Sequence, residues 1–134
     1  MTPQTIIETL KRYRFDLSTE KNAQQEVGQA LDANGIRHER EYRLGSDERT
    51  ENIIDFYIPE RSLTSATSGR GKEIGIGIEL KIGGGPMEVY RQLQRYCRTG
   101  KLSAIILVTN HAMGLPQEVE GVPAFYLSLG RAWI

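Results

Sequence analysis

Between Glu73 and Ile82 the apolar residues Ile74, Ile76, Ile78, Leu80 and Ile82 occupy every second position, the period of a β-strand. The opposite face carries Gly75, Gly77, Glu79 and Lys81, so it is bare at its start and charged at its end. Glu51 to Pro59 predicts a shorter strand in which Ile54, Phe56 and Ile58 alternate with Ile53, Asp55 and Tyr57, leaving Asp55 a lone acid among apolar neighbours. Arg37 to Leu44 reads as a charged strand near a sheet edge, closed by a Gly45-Ser46-Asp47 turn. The unbroken apolar run within Ser103 to Thr109 predicts a strand buried on both faces, and Val122 to Leu129 a final strand.

Helical spacing takes over elsewhere. Thr2 and Pro3 suit the N-cap and first position of a short helix that carries Ile6, Ile7 and Leu10 to about Tyr13. A second helix is expected from about Ser18 to Ala33, with an inner stripe of Ala23, Val27, Ala30 and Leu31 and a stop at Asn34-Gly35. Gly83-Gly84-Gly85 breaks the pattern, and Pro86 opens a third helix to about Thr99 whose core face is Val89, Leu93, Tyr96 and Cys97. Arg61 to Lys72, rich in Ser, Thr and Gly, reads as an exposed, mobile loop. The order is helix, three strands, helix, strand, which implies an α/β fold with a mixed sheet flanked by helices.

The chain of 134 residues fits one domain spanning 1–134. Its 39% hydrophobic and 25% charged residues are ordinary for a globular chain, and no window is apolar for long enough to cross a bilayer. The first residues show no basic region followed by an apolar stretch, and Cys97 is the only cysteine, so a cytoplasmic location is expected. A formal net charge of zero counts against indiscriminate nucleic-acid binding. The charge is uneven, however: residues 1–67 hold nine basic and twelve acidic side chains, a net −3, and residues 68–134 hold eight and five, a net +3.

Asp55 on one strand, with Glu79 and Lys81 two apart on a later one, suits a divalent cation held beside a phosphodiester. An acid-x-lysine triplet alone decorates many solvated sheet faces, but Gly75 and Gly77 clear side chains from the same face and favour close approach of a backbone or ligand. Glu26 lies at helical spacing beside Ala23, Val27 and Ala30, so it needs either a cation or an arginine partner. Gln92 and Tyr96 project from one flank of the third helix, where Arg91, Arg95 and Arg98 form a basic ridge extended by Lys101; such a ridge is usually a solvated face, yet it suits a nucleic-acid backbone. His38 and His111 are too few for a zinc site, Cys97 belongs to a core stripe, and Gly69 to Glu73 lacks the spacing of a phosphate-binding loop.

Together, in this order, these residues resemble the PD-(D/E)XK nuclease superfamily over about residues 18–110: Glu26 on the first core helix, Asp55 on the second strand, Glu79-Leu80-Lys81 on the third, and Gln92-Leu93-Gln94-Arg95-Tyr96 on the next helix. The last stretch is similar to the Gln-x-x-x-Tyr motif of RecB-like exonucleases, while the chain's size resembles stand-alone resolvases and virus-type replication-repair nucleases. Ile54 stands where many members have proline. The resemblance implies a restriction-endonuclease-like αβββαβ core and hydrolysis of DNA, with RNA left open. It implies Mg2+ or Mn2+ bound by Asp55, Glu79, the Leu80 carbonyl and Glu26, and water positioned by Lys81. It gives Gln92 the task of steadying that water, the lysine or a phosphate, and gives Tyr96, Arg91, Arg95 and Arg98 contacts to the nucleic-acid backbone. The basic surface is limited for so small a domain, and a homodimer would enlarge it. The competing expectations are a catalytically inactive module of the same fold that binds nucleic acid or protein, and an unrelated domain that binds a partner by strand addition at Arg37 to Arg43.

Overall fold

The computed structural model describes residues 1–47, 50–60, 73–110 and 114–129. The predicted loop at Arg61 to Lys72 and His111 lie outside these residues. Three helices and six strands follow in the order α1 (Pro3–Lys11), α2 (Glu20–Ala33), β1 (Glu39–Asp47), β2 (Thr50–Pro59), β3 (Gly75–Lys81), α3 (Pro86–Arg98), β4 (Leu102–Thr109), β5 (Glu118–Val119) and β6 (Val122–Ser128). The strands form one mixed sheet in the order β1-β2-β3-β4-β6-β5. β1, β2 and β3 run antiparallel, β3, β4 and β6 parallel, and β5 returns antiparallel on β6. Parallel neighbours need a crossover, and α3 supplies it between β3 and β4. Among the described residues no helix is long and apolar enough to cross a membrane.

Local chemistry sets the helix ends. Thr2 Oγ1 accepts the Thr5 N–H at 3.2 Å, and Pro3 takes the first helical position. Thr19, rather than Ser18, caps α2 by accepting the Asn22 N–H at 3.1 Å. Gly35 adopts φ +67°, so the Ile36 N–H can reach back to the Leu31 carbonyl at 2.9 Å and end the helix. Gly45 has a different role from the predicted turn: at φ +135° it sits at a register shift between β1 and β2, and β1 continues through it to Asp47.

The sheet separates two cores. α1 and α2 cover one face, where Ile6, Leu10, Val27 and Leu31 meet Phe56, Ile58, Ile76, Ile78 and Leu80. α3 covers the other, where Leu93, Tyr96 and Cys97 meet Ile54, Tyr57, Ile105 and Leu107. β4 feeds both faces, as its unbroken apolar run predicts.

β2 departs from simple alternation at one place. Ile54 packs with the α3 core, whereas Phe56 and Ile58 pack with the α1–α2 core. The parity flips at Asp55, opposite Glu41, whose φ is +49°, while the β1–β2 register keeps step across them from Arg40↔Phe56 to Tyr42↔Ile54. Asp55 lies just past the last β2–β3 ladder pair, Phe56↔Ile78. The bare glycines of β3 have a packing role. A Cβ at Gly77 would strike the Ile54 side chain, and one at Gly75 would lie 2.5 Å from the Ile58 carbonyl oxygen and 2.7 Å from the Tyr57 ring. They admit neighbouring strand residues, not a ligand.

Candidate active site

Beyond Phe56↔Ile78 the bonding between β2 and β3 passes from main chain to side chain. The Asp55 N–H donates to Glu79 Oε1 at 3.1 Å, and the Leu80 N–H donates to Asp55 Oδ2 at 2.8 Å. Each carboxylate therefore satisfies a backbone amide of the other's strand, which fixes both acids where the ladder ends. Gln24 Nε2 on α2 donates to the remaining Asp55 oxygen at 3.0 Å. Glu79 Oε2 receives the Tyr96 hydroxyl at 3.3 Å and lies 3.7 Å from Lys81 Nζ.

Burial makes this pair electrostatically tense. Glu79 is 3% exposed, and its carboxyl is pushed up to about 8, first by burial and then by the charge of Asp55, against the opposing pull of Lys81. Asp55 is likewise held above the usual carboxylate range, by burial and by the charge of Glu20, although the Leu80 N–H and Lys81 favour its ionised form. One lysine, 25% exposed, faces the buried Glu79 and the half-buried Asp55, with Glu20 a third acid nearby.

Gln92 and Tyr96 join the site through each other. Gln92 Nε2 donates to the Tyr96 hydroxyl at 2.7 Å, and that hydroxyl shares its proton between the Ile53 carbonyl at 2.8 Å and Glu79. Burial and the neighbouring carboxylates raise the phenol's pKa, so it stays a donor. At 2% exposure Tyr96 has no face for a nucleic acid; it positions Glu79. The arginine ridge is likewise divided: Arg98 pairs with Glu120 at 3.1 Å, Arg95 is half-buried with its Nε enclosed and unbonded, and Arg91 alone is fully on the surface without such ties.

Glu26 lies elsewhere. Its Oε1 accepts the Asp16 N–H at 2.8 Å, which satisfies the loop between α1 and α2, and it lines a separate cavity beside Tyr13 and Phe15. The acid that α2 presents to the site is Glu20, whose Oε1 accepts the Ile82 N–H at 3.1 Å. The signal was present in the sequence: stepping back by fours from buried Gly28 leads to Gln24 and Glu20, polar residues on the stripe that faces the sheet. Glu26 instead shares the flank of Ala23 and Ala30 that turns toward α1.

An open cleft of about 360 Å³ between α2, the end of β3 and α3 is lined by Glu20, Lys81, Gly83, Gly84, Glu88 and Gln92; of Asp55, Glu79 and Lys81, it is Lys81 that lines it. Among the described residues no group of three His, Cys, Asp or Glu side chains forms a ready metal cage. Two carboxylates and nearby backbone carbonyls nevertheless fit magnesium, which keeps several waters and takes one or two protein carboxylates. Every carboxylate oxygen of Asp55 and Glu79 that accepts a hydrogen bond retains a second lone pair, and a divalent cation would displace the proton that burial and Asp55 hold on Glu79. The chain matches no model of a known protein family, no curated protein and no solved structure.

Proposed function

We propose that the protein is a cation-dependent nuclease of the PD-(D/E)XK type that hydrolyses phosphodiester bonds in DNA. The observation that carries this reading is the meeting of Asp55, Glu79 and Lys81 where β2 and β3 part, beside an open cleft. The order α2-β1-β2-β3-α3-β4, helix, three strands, helix, strand, supports the same reading.

Asp55 and Glu79, with the Leu80 carbonyl, would hold Mg2+ or Mn2+, and Glu20 takes the place expected of Glu26. The ion supplies positive charge at the scissile phosphate and lowers the pKa of its water. Lys81, at the cleft wall, would orient the attacking water through its ammonium group and offset charge that develops at the phosphate. Tyr96, braced by Gln92, holds Glu79 in its rotamer, and Gln24 does the same for Asp55. Arg91 is the best placed of the three arginines to meet the DNA backbone.

Incubating the purified protein with linear, circular and junction DNA tests the reading. Cleavage is expected only with magnesium or manganese, with the cation requirement raised by Glu20→Gln and left as in the wild type by Glu26→Gln. No cleavage of any substrate would leave a non-catalytic module of the same architecture, and a raised cation requirement in Glu26→Gln instead of Glu20→Gln would contradict the assignment on α2.

A further inference from the structure

The cavity that takes Glu26 away from the acid pair has a composition of its own. It measures about 320 Å³ and is lined by Tyr13, Arg14, Phe15, Glu26 and Gln29 among others. Tyr13 stacks on Phe15 with ring centroids 5.9 Å apart and planes 20° from parallel. Phe15 is buried, whereas Tyr13 is 38% exposed, so one aromatic face is backed by the core and the other is open. The tyrosine is also held at its far end: Asn34 Nδ2 donates to its hydroxyl at 2.8 Å and to the Ala30 carbonyl at 2.7 Å, tying the ring to the end of α2. An exposed aromatic surface that is pinned at two points loses little freedom when something stacks on it.

The polar groups around that ring define what it would stack with. Glu26 contributes acceptor oxygens and Gln29 an amide with both donor and acceptor character. Arg14 sets a positive charge in the same lining as the Glu26 carboxylate, and that carboxylate attracts amino hydrogens, which adenine, cytosine and guanine carry on their edges and thymine lacks there. We infer that this cavity is a nucleobase-binding subsite that captures an unpaired, amino-bearing base stacked on Tyr13, with its edge read by Glu26 and Gln29. The inference rests on the nucleic-acid reading above and narrows the substrate to DNA with a single-stranded portion. Glu20 and Gln24 face the end of β3 and Asp55 from α2, while Glu26 and Gln29 of the same helix face the cavity, so one strand crossing α2 would engage both.

Binding of fluorescent oligo-dA, oligo-dC and oligo-dT, and of a blunt duplex, measured by anisotropy in EDTA tests this without involving the cation. Tyr13→Ala is expected to weaken oligo-dA and oligo-dC binding by roughly tenfold or more, as loss of one stacking platform does. Tyr13→Phe, which keeps the ring but loses the Asn34 tie, should lose much less than Tyr13→Ala, and Gln29→Ala, at an exposed position, should narrow the preference of oligo-dA over oligo-dT. Equal binding by wild type and Tyr13→Ala, with both shown to be folded by thermal unfolding, or equal affinity for oligo-dA and oligo-dT in the wild type, would overturn the inference. If the wild type cleaves DNA in magnesium while Tyr13→Ala binds normally, the subsite alone falls. If Tyr13-dependent binding persists but no cation supports cleavage, the nuclease reading falls and the subsite stands.

Discussion

Lys81→Ala is expected to slow DNA cleavage in magnesium by about 10²- to 10³-fold while leaving the protein folded, the range found when one donor aimed at charge developing in the transition state is removed. Lys81 stands at the cleft wall with its amine 3.7 Å from Glu79 Oε2, and its side chain is only partly covered, so truncation opens no core cavity. Glu79→Ala should abolish cleavage for a different reason. It removes one of the two carboxylates available for a cation and also leaves the Asp55 N–H without its acceptor, a local loss of about 1–3 kcal/mol. Relief of the cost of burying the Glu79 carboxyl opposes that loss, so the fold should survive. Single-turnover rates at saturating magnesium, with thermal unfolding of each variant, check both expectations. Full activity in both variants would remove the site from the mechanism.

The second large effect concerns stability rather than rate. In the absence of divalent cations the wild type should lose stability relative to Glu79→Gln as pH rises from about 5 to 8, by a few kcal/mol, because each unit of pKa shift corresponds to about 1.4 kcal/mol. The sign follows from the direction of the shift. The Glu79 carboxyl titrates at about 8 in the folded chain against 4.5 ordinarily, so the folded state binds its proton more tightly than the unfolded state. The stability that this proton confers is complete below pH 4.5 and disappears as pH passes through 8. Asp55, raised for the same main reason, adds in the same direction. Magnesium should restore the loss at neutral pH, since it binds the ionised pair and only in the folded state. Unfolding curves at several pH values, in EDTA and in magnesium, decide the matter; parallel pH profiles for wild type and Glu79→Gln would show that the buried acid is not under electrostatic tension.

The parts of this site that the sequence showed plainly are those governed by a short period. Glu79 and Lys81 share a face because a strand alternates every two residues, and Gln92 meets Tyr96 because a helix brings residues four apart together. Helix limits were legible to within a residue or two, since Thr2, Pro3, Gly35 and Pro86 act locally. What escaped depended on tertiary placement. Glu26 and Glu20 are both acids on α2, and only the packing of that helix on the sheet decides which one turns toward the end of β3. The break in β2 at Asp55 is invisible to alternation, because Ile54 and Phe56 are equally apolar whichever core receives them. Gly75 and Gly77 signalled close approach correctly in kind, but the occupants are Tyr57 and Ile54. The arginine spacing on α3 suggested one ridge, and Glu120 from a distant turn divides it. The two-residue β5 was too short to carry any period at all.

The most direct test of the central claim is a calorimetric titration of the cation-free protein with Mn2+, repeated on Asp55→Ala. Saturable binding by the wild type that vanishes in Asp55→Ala, with the variant still folded, is the predicted result. Binding of equal strength in both proteins, or none in the wild type, would contradict a cation held between β2 and β3.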